Sequence, residues 1–179
     1  MLKTKEIVFH RPKPRDLVMP PPLTNIDCVK FAKLLGVYIM DYLGAGKQID
    51  YLLKICNQRL YLLNQKKKQG LAKQQLLRVF DAIIIFRITN AAAAWRGFAT
   101  VAECNAIQAF LNKVKRSSII SEDRSIDDIL DGIDNGLFRK MKFSNHCLHH
   151  ILPNERHSLH GMKIRRGDII IICLFKKLK

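Results

Sequence analysis

No stretch of this sequence is long and apolar enough to span a bilayer. The longest apolar runs, 82–86, 91–95 and 169–175, fall far short of the roughly 20 residues a span requires. No secretory signal is visible, because the first 20 residues mix Lys3, Lys5, Arg11, Lys13 and Arg15 with three prolines. No CxxC pair occurs among Cys28, Cys56, Cys104, Cys147 and Cys173, and their number is odd. That pattern predicts reduced thiols in an intracellular protein, nuclear or cytoplasmic. Gly44-Ala45-Gly46-Lys47 is too short for a phosphate-cradling loop, and neither GxSxG nor HExxH is present. Acidic residues are scarce: 15 against 31 Lys and Arg, a net charge of +16.

What is present is a chain of 179 residues, 48% hydrophobic and 26% charged. Such a composition argues against bulk disorder, and the length suffices to bury a core. The charge excess implies an anionic partner, most often nucleic acid. It is unevenly spread. Residues 1–46 carry net +3, residues 47–78 net +7, residues 79–138 net −2 and residues 139–179 net +8.

The fold expected is mainly α with a small N-terminal β pair. Residues 4–10 read as a short strand, and 28–39 as a strand or hairpin bent at Gly36. The clearest helix is 47–66, where Ile49, Leu52, Leu53, Cys56, Leu60 and Leu63 make one apolar stripe and Gly70 marks the stop. A second helix spans 73–88, with Leu76, Leu77, Phe80, Ile83 and Ile84 inward. A third opens on a capping box at Thr100-Val101-Ala102-Glu103, and a fourth on a second box at Ser125-Ile126-Asp127-Asp128. A fifth covers 137–150. Ala93 would let a helix run on into Trp95.

Few constellations carry chemistry. Asp127 and Asp128 are a carboxylate pair, but at a helix start such residues serve the helix dipole rather than Mg²⁺. His146, Cys147, His149, His150, His157 and His160 are crowded, and His146 and His150 would sit one turn apart on a helix. They match no zinc-ligand pattern, so no metal site is assigned. The basic helix is the strongest functional feature. Lys47, Lys54, Arg59, Lys66, Lys67 and Lys68 are placed to reach phosphates while the apolar stripe packs inward. About five neutralised phosphates would give a log–log salt slope near −4 to −5.

An ordered series of motifs then resembles a known family. Lys3-Thr4-Lys5-Glu6-Ile7-Val8-Phe9, Leu34-Leu35-Gly36-Val37, and Ile49-Asp50 with Cys56-Asn57-Gln58-Arg59-Leu60 and Leu63 resemble reverse transcriptases of non-LTR (LINE-type, jockey-like) retrotransposons. The series continues through Arg87-Ile88-Thr89, Trp95, Leu137-Phe138 and Ile151-Leu152-Pro153. The resemblance implies that 1–40 is a palm remnant with a primer-grip-like hairpin at Leu34, Leu35, Gly36 and Val37. It implies thumb-like helices over 41–98 and a helical C-terminal region over 99–160. Residues 161–179 form a divergent basic and apolar tail. Lys3 matches the family's active-site lysine. The family's catalytic aspartates lie upstream of Met1, so this chain is read as a truncated RNA-directed DNA polymerase fragment without catalytic residues. Mg²⁺ belongs to the intact polymerase, and no cofactor is expected here. The implied partner is an RNA or DNA template–primer duplex, bound through its backbone without sequence preference. The alternatives are a non-functional retrotransposon fossil and a domesticated nucleic-acid or protein interaction module.

Overall fold

The computed structural model describes residues 4–11 and 18–152. Among these residues the protein is mainly helical, with two separate two-stranded sheets near the N-terminus. Lys3, the histidines at 157 and 160, Cys173 and the tail over 161–179 lie outside the described residues.

The strand expected over 4–10 pairs only at β1 (Lys5–Glu6), which lies parallel to β2 (Asp27–Cys28). Beyond it, Pro12 and Pro14 follow within a few residues, and proline cannot donate to a ladder. The second sheet is an antiparallel hairpin, β3 (Phe31–Leu34) with β4 (Val37–Met40). Leu35 and Gly36 form its two-residue turn, with φ of 48° and 88°. Positive φ at both central residues matches the twist of the flanking strands. Val37 is the hairpin's buried residue.

Helix α1 (Gly46–Lys68) follows. Ile49, Leu52, Cys56, Leu60 and Leu63 repeat every three or four residues and are all buried. The helix stops where Gly70 takes φ +86°. Leu71 N–H donates to Lys66 O and Gly70 N–H to Lys67 O, both at 3.1 Å, closing the last turn's carbonyls.

The segment expected as a second helix is one rod with a wide turn inside it. α2 (Lys73–Phe80) passes into a π turn (Asp81–Ile85) and then α3 (Phe86–Thr89). The cause is in the spacing. Leu76, Phe80, Ile84 and Ile88 are all buried, each four residues from the last. On an ordinary α-helix that stripe drifts by about 40° per step. The wider turn takes up the drift and keeps all four on the core. Leu77 and Ile83 pack against this core only partly buried.

The helix does not run on through Ala93. It breaks at Asn90, which is extended, and at Ala91, which is left-handed with φ 53°. The break turns α4 (Ala92–Trp95) so that Ala92 and Trp95 both reach the core. A short 3₁₀ turn (Arg96–Phe98) leads to α5 (Val101–Arg116). There the capping box forms in full: Glu103 N–H donates to Thr100 Oγ1 at 3.3 Å, and Thr100 N–H to Glu103 Oε2 at 2.7 Å.

The fourth and fifth expected helices are one, α6 (Ile126–Met141). Gly132 and Gly136 lie inside it without interrupting it. At its start only half of the expected box forms. Asp128 N–H donates to Ser125 Oγ at 3.4 Å, but an Asp side chain is one methylene shorter than the Glu of a full box. After Met141 the chain turns, and the described residues close with a 3₁₀ turn (His149–Ile151) rather than an α-helix.

Two arginines lock the helices. Arg96 meets Asp131 at 2.6 Å and Asp134 at 2.8 Å on α6. Arg124 pairs with Asp81 in the π turn. Helices α1 and α5 run in the same direction. Gly46 approaches Glu103 so closely that a Cβ there would lie 2.8 Å from Glu103 Oε1. Lys113 Nζ donates to Asn57 Oδ1 at 2.9 Å, and Lys67 Nζ to Ser117 O at 2.6 Å.

Candidate nucleic-acid interface

The six basic residues of α1 do not form one face. Lys47 and Lys54 are seven apart, about 20° short of two full turns, so they share a side. Lys54 is exposed, while Lys47 Nζ sits 3.2 Å from the centroid of the Phe31 ring. Arg59 is turned about 140° from Lys54. It is half-buried, and its guanidinium donates to the Ile83 carbonyl. One nitrogen of the Arg59 guanidinium is therefore engaged by the backbone of the neighbouring segment. Lys66 Nζ donates to Gln69 Oε1 at 3.0 Å, Lys67 to Ser117, and Lys68 is exposed without a recorded partner among the described residues.

What the fold does assemble is a basic end. The last turn of α1 carries Lys66, Lys67 and Lys68. The last turn of α5 carries Lys113, Lys115 and Arg116. The Lys67–Ser117 hydrogen bond puts these two turns side by side. Lys73 opens α2 just beyond, where no side chain caps the helix and no acid occupies its first turn.

Magnitudes decide whether this end is merely neutralised. The two aligned helix termini together amount to roughly one negative charge. Asp123 adds another, through Lys115 at 2.5 Å, and exposed Glu122 stands next to it in the chain. Against six cations, a surplus of roughly three charges remains. That surplus attracts an extended anion, and lysines on flexible stems suit phosphates spaced along a backbone.

Sequence reasoning missed Lys113, Lys115 and Arg116. They fall within a segment of net −2, and a segment average hides a cluster. The signal available was three basic residues within four positions at a helix end.

The remaining candidates are placed as follows. Leu34, Leu35, Gly36 and Val37 form the hairpin's turn and its two flanking residues, with Leu35 almost fully exposed. Asp127 and Asp128 occupy the first turn of α6, both exposed. Among the described residues, no group of three or more His, Cys, Asp or Glu is arranged to hold a metal. His146 and His150 do not share a helix: His146 Nδ1 accepts from Leu148 N–H at 3.2 Å, and His149 Nδ1 lies 2.9 Å from Met141 O. Cys28, Cys56, Cys104 and Cys147 are all free thiols. Burial pushes the Cys56 thiol up to about 11. Among the described residues, no helix is long and apolar enough to cross a membrane.

No protein-family model, no curated protein and no solved structure matches this chain.

Proposed function

We propose that this chain binds the backbone of a nucleic-acid duplex, RNA or DNA, without sequence preference, and that it derives from the thumb region of a LINE-type reverse transcriptase. The convergence of Lys66, Lys67 and Lys68 with Lys113, Lys115 and Arg116 carries the binding reading. The order of a tight hairpin followed by a long basic helix supports the derivation. Binding rather than polymerisation is the activity proposed, since Asp127 and Asp128 sit at a capped helix start.

Fluorescence anisotropy of a labelled RNA–DNA hybrid and a DNA duplex, over a series of salt concentrations, tests this. The full chain should bind both at low salt, regardless of sequence, with log affinity falling linearly in log salt. Replacing Lys66, Lys68, Lys113 and Arg116 together by Gln should flatten that slope by about 3.6. An unchanged slope, or no binding at low salt, overturns the proposal.

A further inference from the structure

A second group of cations gathers near the other end of α1. Lys33, on β3, donates its Nζ to Tyr51 Oη at 2.9 Å. The same ammonium lies 4.4 Å from the centroid of the Tyr51 ring and 5.4 Å from that of Tyr38. Arg87, on α3, brings its guanidinium carbon to 5.3 Å from the Tyr51 ring. Its Nε is buried without an acceptor. Three separate elements thus point charge or a hydroxyl at one place.

The arrangement is held in position. Tyr38 meets Tyr51 edge-on, with centroids 5.1 Å apart and planes at 71°. Tyr38 N–H donates to Oε1 of the buried Gln48 at 3.0 Å, which ties hairpin to helix. Lys47 over Phe31 adds a further positive charge to the same corner.

The charge here is uncompensated. Arg96 has Asp131 and Asp134, and Arg124 has Asp81. Neither Lys33 nor Arg87 has a carboxylate partner among the described residues. The Tyr51 phenol is lowered from its ordinary value, first by the hydrogen bond from Lys33 and then by the charges of Lys33 and Arg87, with burial opposing them. No carboxylate acts on it. Two cations around one neutral oxygen are an unfavourable arrangement that an anion would relieve.

We propose that Lys33, Tyr51 and Arg87 form an oxyanion site for a phosphate group. The ammonium and guanidinium supply charge-assisted donors, and the guanidinium can present two parallel N–H groups. The Tyr51 hydroxyl accepts from Lys33 and donates outward to a phosphate oxygen, a role that a carboxylate cannot fill. Sixteen residues of helix separate Tyr51 from Lys67, about 24 Å. The site therefore stands independently of the basic end and of the backbone reading.

Isothermal titration of inorganic phosphate into the full chain, against sodium chloride of equal ionic strength, tests it. Saturable one-site binding is expected. Lys33→Gln, Arg87→Gln and Tyr51→Phe should each weaken it, the first two by about tenfold. Arg87→Gln risks the fold, because Nε is buried; Lys33→Gln changes an exposed strand position and keeps the test decisive. Short single strands with and without a 5′-phosphate identify the source. Displacement by both assigns a strand phosphate, displacement by the phosphorylated one alone a terminal phosphate, and displacement by neither a free phosphate. The proposal is overturned if phosphate does not saturate, or if Lys33→Gln binds it as the parent does.

Discussion

The guanidinium of Arg59 donates to the carbonyl of Ile83, inside the wide turn between α2 and α3. A residue from the basic helix thus supports the backbone of its neighbour. Arg59→Gln should leave the salt slope of duplex binding unchanged, since this guanidinium is already engaged. It should destabilise the fold by about 1–3 kcal/mol, the usual effect of stranding a half-buried acceptor. Denaturant melts and the anisotropy series separate the two effects.

The two helix starts differ in a measurable way. Thr100 is reciprocated by Glu103, whereas Ser125 receives no return from Asp128. Thr100→Ala should lower stability by about 1–2 kcal/mol, and Ser125→Ala by less. A larger loss for Ser125→Ala in thermal melts would contradict the geometry.

Leu35 occupies a left-handed position that branched side chains disfavour, and it is almost fully exposed there. Leu35→Asn creates the Asn-Gly pair that such turns prefer. It should raise stability by about 0.5–1 kcal/mol without altering phosphate or duplex binding. A lowered melting temperature would show that Leu35 packs against something.

Cys56 reports on the core. Burial, opposed by Arg59 and Arg87, holds the thiol neutral up to about 11 against an ordinary 9.0. An unfolded thiol ionises first, so between pH 9 and 11 the unfolded state binds fewer protons and stability falls as pH rises. The lost increment is on the order of 2–3 kcal/mol at the upper end. Cys56→Ala should remove that part of the decline. At pH 8, in a Cys173→Ser background, the exposed Cys28 and Cys147 should label quickly and Cys56 only after unfolding. Fast labelling of Cys56 would contradict the buried stripe.

The legible parts were those written in local spacing. The α1 stripe, the stop at Gly70 and the Thr100 box are each set by residues within a turn or two. The wide turn was also written, as four apolar residues spaced by four, but it reads as an ordinary helix unless the drift is counted. The boundary expected at residue 137 is absent, since one helix runs from Ile126 to Met141. The basic end was legible only in part: Lys66, Lys67 and Lys68 stand out, but their meeting with Lys113, Lys115 and Arg116 does not. It depends on which helices lie parallel, and Lys67 meets Ser117 across fifty residues.

That same separation has a consequence during synthesis. At about 5–20 residues per second, Ser117 is made some 3–10 s after Lys67. Through that interval the stripe from Ile49 to Leu63 has no α5 to lie against. The three lysines that close α1 repel one nascent chain from another, so charge gathered at a helix end in the folded protein first acts as a guard against premature association.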